Sequence, residues 1–419
     1  MKPLSDYTLI DRQTVNDPFE YYSRMRSEAP VHFDPKLGAW LVTRYADIQE
    51  VGRQPDVLSS ELGFETALWG QWQAEVSELM SREGYGMNPL SDGFQIDPPV
   101  HPKRRGLVEH AFSAQRVADM EGDISAMARE LVDAFIDRGE ADMVGELARP
   151  MAIYVIGHLF NIPKERKDDV ARWSDAFAGQ LEGGLTKEQA FKYARELMEC
   201  HRYIDQQIQV RRQKPTEDLI SALMQARIDD PENPSLTFHN LLQIFTTFLA
   251  AGNHTTRSAI GWGALILAEN PQLVKSLREA GDQNKALFRF CEEVLRINAP
   301  VPQMPRVALK DCTVGGVTIP KGATVWLCYS SGNRDSQKFP DADQFQIERN
   351  NSMHQLAFGV GIHRCVGAML ARMEMKCTFR EIITRMDDMT LAIPPEQADV
   401  FGTLASYGLE SLPVKFTKR

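Results

Sequence analysis

The chemistry of this chain is concentrated at residues 354–367, which read H-Q-L-A-F-G-V-G-I-H-R-C-V-G. One cysteine, Cys365, stands between a Gly-rich run and Gly367. The segment after it has helical spacing, with Met369, Leu370, Met373 and Met375 set among Arg372, Glu374 and Lys376. A sulfur at the entrance of a helix meets backbone N–H groups and the positive end of the dipole, which favour thiolate over thiol. Gly359, Gly361 and Gly367 take side chains away from the sulfur, so a flat, bulky group could come close to the backbone. A soft anionic ligand facing a flat space suits haem iron. The same residues also fit a small buried thiol beside a turn.

Three other stretches carry candidate chemistry. In D-P-P-V-H-P-K-R-R-G-L-V, residues 97–108, His101 and Arg105 are four apart and share a helix face that could grip an anion. In A-G-N-H-T-T, residues 251–256, Gly252 weakens a helix by about 1 kcal/mol relative to alanine. The Thr255 hydroxyl can bond back to a carbonyl there. Glu293 and Arg296, three apart, face the same way.

The elements that must position these residues are mostly helical. Asp17 and Pro18 open a helix carrying Tyr21, Met25 and Ala29. A-W-L-V-T at 39–43 reads as a strand. Residues 55–96 read as irregular, with Trp69, Trp72, Met80, Tyr85, Met87 and Phe94 among polar residues, and form either a functional loop or a surface excursion. Residues 114–228 read as a helical block, broken at Gly183 and Gly184, where Thr186 and Gln189 offer a capping box. The longest apolar pattern, 236–270, predicts a central helix of roughly 50 Å. A helix follows at 283–297, then strands at 306–311 and 324–329 around the turn G-G-V-T-I-P-K-G, and a closing hairpin near Ala405 and Ser406.

With 43% hydrophobic and 25% charged residues, the composition is that of a globular protein with a real core. A net charge of −10 argues against nucleic acid as a main partner. The start M-K-P-L-S-D-Y-T-L-I-D-R has no long apolar run, so no membrane anchor and a cytoplasmic location are expected. The six cysteines show no C-x-x-C pair, and no disulfide is expected.

The spacing Phe358, Gly361, His363, Cys365, Gly367 resembles the haem-ligand loop of the cytochrome P-450 superfamily of haem-thiolate monooxygenases. Matching motifs lie in the family's order from His101 to Gly367, about two-thirds of the chain. The resemblance implies one mainly α, triangular domain spanning 1–419 with a smaller β part, and haem b between the central helix and the cysteine helix. It implies Cys365 as metal ligand. His101, Arg105, Arg306 and His363 would meet the propionates, and Phe358, Gly359, Gly367 and Ala251 would contact the cofactor. Glu293, Arg296 and Arg349 would form a buried network holding the cysteine loop. Thr255 would line the oxygen pocket and help deliver protons. His254 departs from the family, which has an acid there. Imidazole can accept and donate a proton near pH 6.5, so His254 either relays protons to Thr255 or packs away from the pocket.

The implied activity is insertion of one oxygen atom from O2 into a C–H bond of a small, mainly apolar substrate. Thr247, Ala250, Val301, Gln303, Met304, Ala405 and Ser406 are the pocket candidates. No flavin or iron–sulfur motif is present, so electrons, ultimately from NAD(P)H, are expected from a ferredoxin or flavodoxin-type partner and its reductase. Such a partner would dock on Lys103, Arg104, Arg364 and Arg372. A peroxide-driven enzyme and a non-catalytic haem sensor are the rival readings. Thr255 with Thr256 favour partner-dependent use of O2 over the peroxide-driven reading, and the want of sequence for an output domain speaks against the sensor.

Overall fold

The computed structural model describes residues 3–65, 70–86, 95–180, 185–227 and 235–419. Trp69, Met87, Phe94 and the Gly183–Gly184 break lie outside them. The helix expected after Pro18 is α1 (Phe19–Glu28), with Tyr21 and Met25 buried. Strand β1 (Val31–Asp34) pairs with β2 (Ala39–Val42), close to the strand expected at 39–43.

The described residues within 55–96 hold more regular structure than their composition suggests. Ser60–Glu65 and Gln73–Arg82 are helical. Val76 and Met80, four apart, bury against Ala190, Ala194, Leu197 and Met198, while the Trp72 indole donates to the Leu185 carbonyl at 2.7 Å. These side chains build a satellite core, a surface excursion's own small core.

Helix α2 (Val100–Ala111) carries His101 and Arg105. The helical block contains α3 (Arg149–Leu159), α4 (Lys167–Gly179) and α5 (Lys187–Gln213). Helix α5 starts with the expected capping box of Thr186 and Gln189. The central helix α6 (Phe238–Glu269) opens with a second such box, Thr237 with Asn240, and stops at Asn270 before Pro271. Its 32 residues, buried on most sides, give roughly 48 Å. It remains helical through residues 251–256 despite Gly252. Helix α7 (Gln283–Ile297) carries Glu293 and Arg296, and α8 (Ala368–Arg385) follows the cysteine. Helices α3, α4, α5, α7 and α8 all pack on α6. Gly263 lets α8 come close, since a Cβ there would collide with the Phe379 ring.

A five-stranded sheet has the order β1-β2-β7-β4-β3, with β3 (Leu58–Ser59), β4 (Met304–Ala308) and β7 (Thr324–Leu327). The stretch read as one turn between the last two holds a hairpin, β5 (Cys312–Val314) and β6 (Val317–Ile319). Gly315 and Gly316 both have positive φ at its tip, the geometry that a two-residue hairpin demands. Strands β8 (Val400–Gly402) and β9 (Tyr407–Leu409) form the closing hairpin.

The cysteine loop is stitched between two cores. Leu356 and Val360 enter the core of the sheet, whereas Phe358 enters the helical core. Among the described residues, no helix is long and apolar enough to cross a membrane. All six cysteines are free.

Candidate active site

One cavity gathers most of the predicted site residues. Its walls include Arg105 from α2, Thr247, Ala251, Gly252, Thr255 and Thr256 from α6, Val301, Met304 and Arg306 from the entry to and body of β4, and Phe358, Gly359, His363, Cys365 and Gly367 from the cysteine loop. The central-helix members follow helical spacing: Thr247, Ala251 and Thr255 are each four apart and share one face. The Thr255 hydroxyl donates to the Ala251 carbonyl at 2.6 Å, the back-bond expected from sequence.

The Cys365 sulfur is open to this cavity while protein surrounds it on the other sides. Its backbone N–H donates to the Phe358 carbonyl at 2.8 Å, closing the loop. The expected lowering of its pKa is not found. Burial pushes the thiol up, and a hydrogen bond to the Gly367 backbone together with the charges of Arg105, Arg372 and Arg364 only offsets part of that. The helix begins at Ala368, so the sulfur lies before its first turn, where the dipole acts less. Gly361 serves a different contact from the one expected: a Cβ there would strike the Gly52 carbonyl, so it lets the loop approach residue 52.

His101 and His363 sit ring against ring at 4.3 Å between centroids, with Arg105 and Arg306 close by. Burial, then the Arg306 charge, pushes His363 down to about 2, and burial, then Arg105, lowers His101. The two arginines therefore carry the charge, and the imidazoles are neutral in the protein's own field. His363 Nε2 is buried without a hydrogen-bond partner among the described residues.

The Glu293 network is complete and fully buried. Arg296 donates to both Glu293 oxygens at 2.8 and 2.7 Å, and Arg349 donates to Glu293 Oε1 at 3.0 Å. The remaining guanidinium N–H groups reach the carbonyls of Asn333, Pro340, Asp341, Ala342 and Gln344. Sequence reasoning missed the neighbour that touches the cysteine loop more directly. Glu292, also fully buried, accepts from Arg372 at 2.5 and 2.9 Å and from Gln355 at 3.4 Å, and Gln355 in turn accepts from the Ala357 N–H. The Arg372 guanidinium lies 4.4 Å from the Phe358 ring centroid. Arg372 thus braces the loop and is not available for docking. The doubled Glu-Glu at 292–293 was the available signal.

Other predicted residues lie elsewhere. Ala250 and His254, four apart, share a face turned away from the cavity lining, because successive helical residues point about 100° apart. The His254 imidazole lies 3.3 Å from Asp175 on α4, within ion-pair distance but without hydrogen-bond alignment. Asp175 also binds Arg149 at 2.8 Å. Gln303 is fully buried, its carbonyl oxygen taken by the Tyr22 hydroxyl at 2.7 Å. Ala405 and Ser406 lie in the β8–β9 turn, where their N–H groups donate to Thr403 Oγ1, and they do not line the cavity. Of residues 55–96, only Gln95 reaches the lining among the described residues. Arg364 and Lys103 are exposed and Arg104 is half-buried.

The donor set fits a haem: one open sulfur, a Gly-containing loop, two arginines with two imidazoles at an edge, and mainly apolar walls with a few hydroxyls. The comparisons with known proteins agree. Residues 108–387 match the family model described as Cytochrome P450. The chain is 30% identical to cytochrome P450 107B1 of Saccharopolyspora erythraea over 98% of both chains. It is also 30% identical to a steroid C26-monooxygenase of Mycobacterium tuberculosis, covering 94% of this chain and 93% of that one. The solved structure of cytochrome P450 CYP109Q5 from Chondromyces apiculatus superposes with a TM-score of 0.84 at 29% identity, covering 100% of both.

Proposed function

Since this chain belongs to the cytochrome P450 family, we propose that it inserts one oxygen atom from O2 into a C–H bond of a small, mainly apolar molecule, by hydroxylation or oxidative demethylation. The family makes it an oxygen-incorporating oxidoreductase and implies haem on a cysteine thiolate. The observation behind the proposal is the cavity that exposes the Cys365 sulfur and the Thr255 hydroxyl to one space.

Haem b, held by Cys365, would supply the oxygen activation. Arg105 and Arg306, with the N–H groups of His101 and His363, would hold its propionates. Phe358, Gly359, Gly367 and Ala251 keep the remaining walls flat and apolar. Thr255 holds a hydroxyl at the cavity, able to accept and pass a proton. Thr247, Val301 and Met304 face the space left for substrate, and the steroid-acting relative supports a bulky apolar compound. Electrons come from a ferredoxin or flavodoxin-type protein and its NAD(P)H-dependent reductase in the cytoplasm. Arg364, Lys103 and Arg104, with Ile362 exposed two residues before Arg364, suit an acidic partner.

The reduced carbon monoxide spectrum tests the centre. A strongly red-shifted Soret band that disappears in Cys365→Ser is the expected result, and its absence in the wild type overturns the proposal. Spectral titration with steroids, terpenoids and alkyl aromatics tests the substrate class.

A further inference from the structure

Behind the cysteine loop the charges do not balance. Two adjacent carboxylates on α7, Glu292 and Glu293, are fully buried and meet three guanidinium groups, those of Arg296, Arg349 and Arg372. Glu293 holds Arg296 and Arg349, and Glu292 holds Arg372. Among the described residues no further carboxylate pairs with these arginines, so the cluster keeps one positive charge in excess. Arg296 is fully buried, Arg349 is nearly so, and Arg372 keeps 16% of its side chain exposed. An excess charge in such surroundings is weakly screened by water and salt.

The excess is felt at the sulfur. The Arg372 guanidinium lies 4.4 Å from the Phe358 ring centroid, and the Phe358 carbonyl accepts from the Cys365 N–H at 2.8 Å. The Arg372 charge is one of three cationic charges that act on the Cys365 sulfur. Arg105 and Arg364 are the others, but Arg105 pairs with Glu109 and Arg364 is exposed to solvent. Glu292 grips Arg372 through Nε and Nη2 at 2.5 and 2.9 Å. Without that carboxylate the excess behind the loop would be two charges and not one.

We propose that this buried excess charge is the counter-charge of the Cys365 thiolate, and that Glu292, by holding the excess at one, sets the reduction potential of a haem bound there. The proposal rests on the haem-thiolate reading above. As the sulfur binds iron, its S–H bond breaks, an S–Fe bond forms and the proton leaves to water. One negative charge on the ligand then faces one positive charge in the cluster. A one-electron donor of the ferredoxin class adds a further negative charge, with no other bond made or broken. A larger excess favours that step and a smaller one opposes it. Glu292 is a positioning residue, since it acts through Arg372.

Potentiometric titration of the haem-loaded protein, with dithionite as reductant, tests this. In Glu292→Gln the excess rises to two, and the ratio of reduced to oxidised protein at a fixed potential is expected to rise about tenfold, ~59 mV for one electron. In the double variant Glu292→Gln/Arg372→Gln the excess returns to one. Its potential is expected to return to the wild-type value although the ion pair is gone. An unchanged potential in Glu292→Gln overturns the proposal. A double variant that keeps the shift also overturns it, because the cause is then structural. If Glu292→Gln does not hold haem, recovery of haem binding in the double variant supports the charge account, and loss in both overturns it. A wild-type reduced carbon monoxide spectrum without the red-shifted Soret band would instead defeat the monooxygenase reading itself.

Discussion

The two sides of the cavity are built on opposite terms. On the cysteine side, the charged groups that brace the loop are buried and paired. Glu293 is satisfied by two arginines, Glu292 by Arg372 and Gln355, and the leftover guanidinium donors find carbonyls. On the central-helix side, polar groups face space or are loosely held. Thr255 makes one short back-bond, and His254 rests against the half-exposed Asp175. Buried charges persist only when their geometry is nearly complete, and then they hold that geometry rigidly. A group that must give up a proton cannot be locked in this way. Rigidity is therefore spent where a ligand must be aimed, and incompleteness is kept where protons must move.

Breaking the rigid side should produce the largest effects. Glu293→Ala leaves two buried arginines without a counter-charge and is expected to cost about 3–5 kcal/mol in denaturant unfolding. A cost below ~1 kcal/mol would show that the network is dispensable. Glu292→Gln keeps a hydrogen-bonding group but frees Arg372, so a smaller cost of about 1.5–3 kcal/mol is expected, with part of the haem lost on gel filtration. Retention of haem and stability together would remove Glu292 from the account of the loop.

A pH-dependent effect is expected from His201 on α5, fully buried and held by burial at about 3. Its folded value lies below the unfolded value near 6.5, so the unfolded chain binds a proton first as pH falls. Stability should decline between about pH 6.5 and about 3, by up to ~1.4 kcal/mol per pH unit from this group, and then stop declining on its account. Comparing unfolding free energies across pH, His201→Gln should show a shallower slope than wild type in that window. Equal slopes would mean that the imidazole is not buried neutral.

The loosely held side should be nearly silent in stability. Thr255→Ala removes one back-bond, so a change within ~1 kcal/mol is expected, while product per electron falls and peroxide rises. Unchanged coupling would count against the role proposed for Thr255. The smallest effect belongs to His254→Phe. With its imidazole outside the cavity, stability should move by no more than ~0.5 kcal/mol, and coupling across pH should match wild type. A lost acidic or basic limb would restore the relay that the sequence suggested.

Local chemistry was legible because it is written in spacing. The cysteine loop, the capping boxes, the Glu-x-x-Arg pair and the four-residue ladder through Thr247, Ala251 and Thr255 each depend on residues a turn apart or less. Most helices and strands, the cavity-facing sulfur and the family were therefore legible in the chain alone, while the helices at Ser60–Glu65 and Gln73–Arg82 were not. Contacts between distant elements had no such signature. Only the tertiary structure decided that Arg372 belongs to Glu292, 80 positions away, and that Gln303 is taken by Tyr22. Only it decided that His254 turns out to α4 while Glu374 turns in from α8. Helical periodicity says which residues share a face, but what that face meets is chosen by packing.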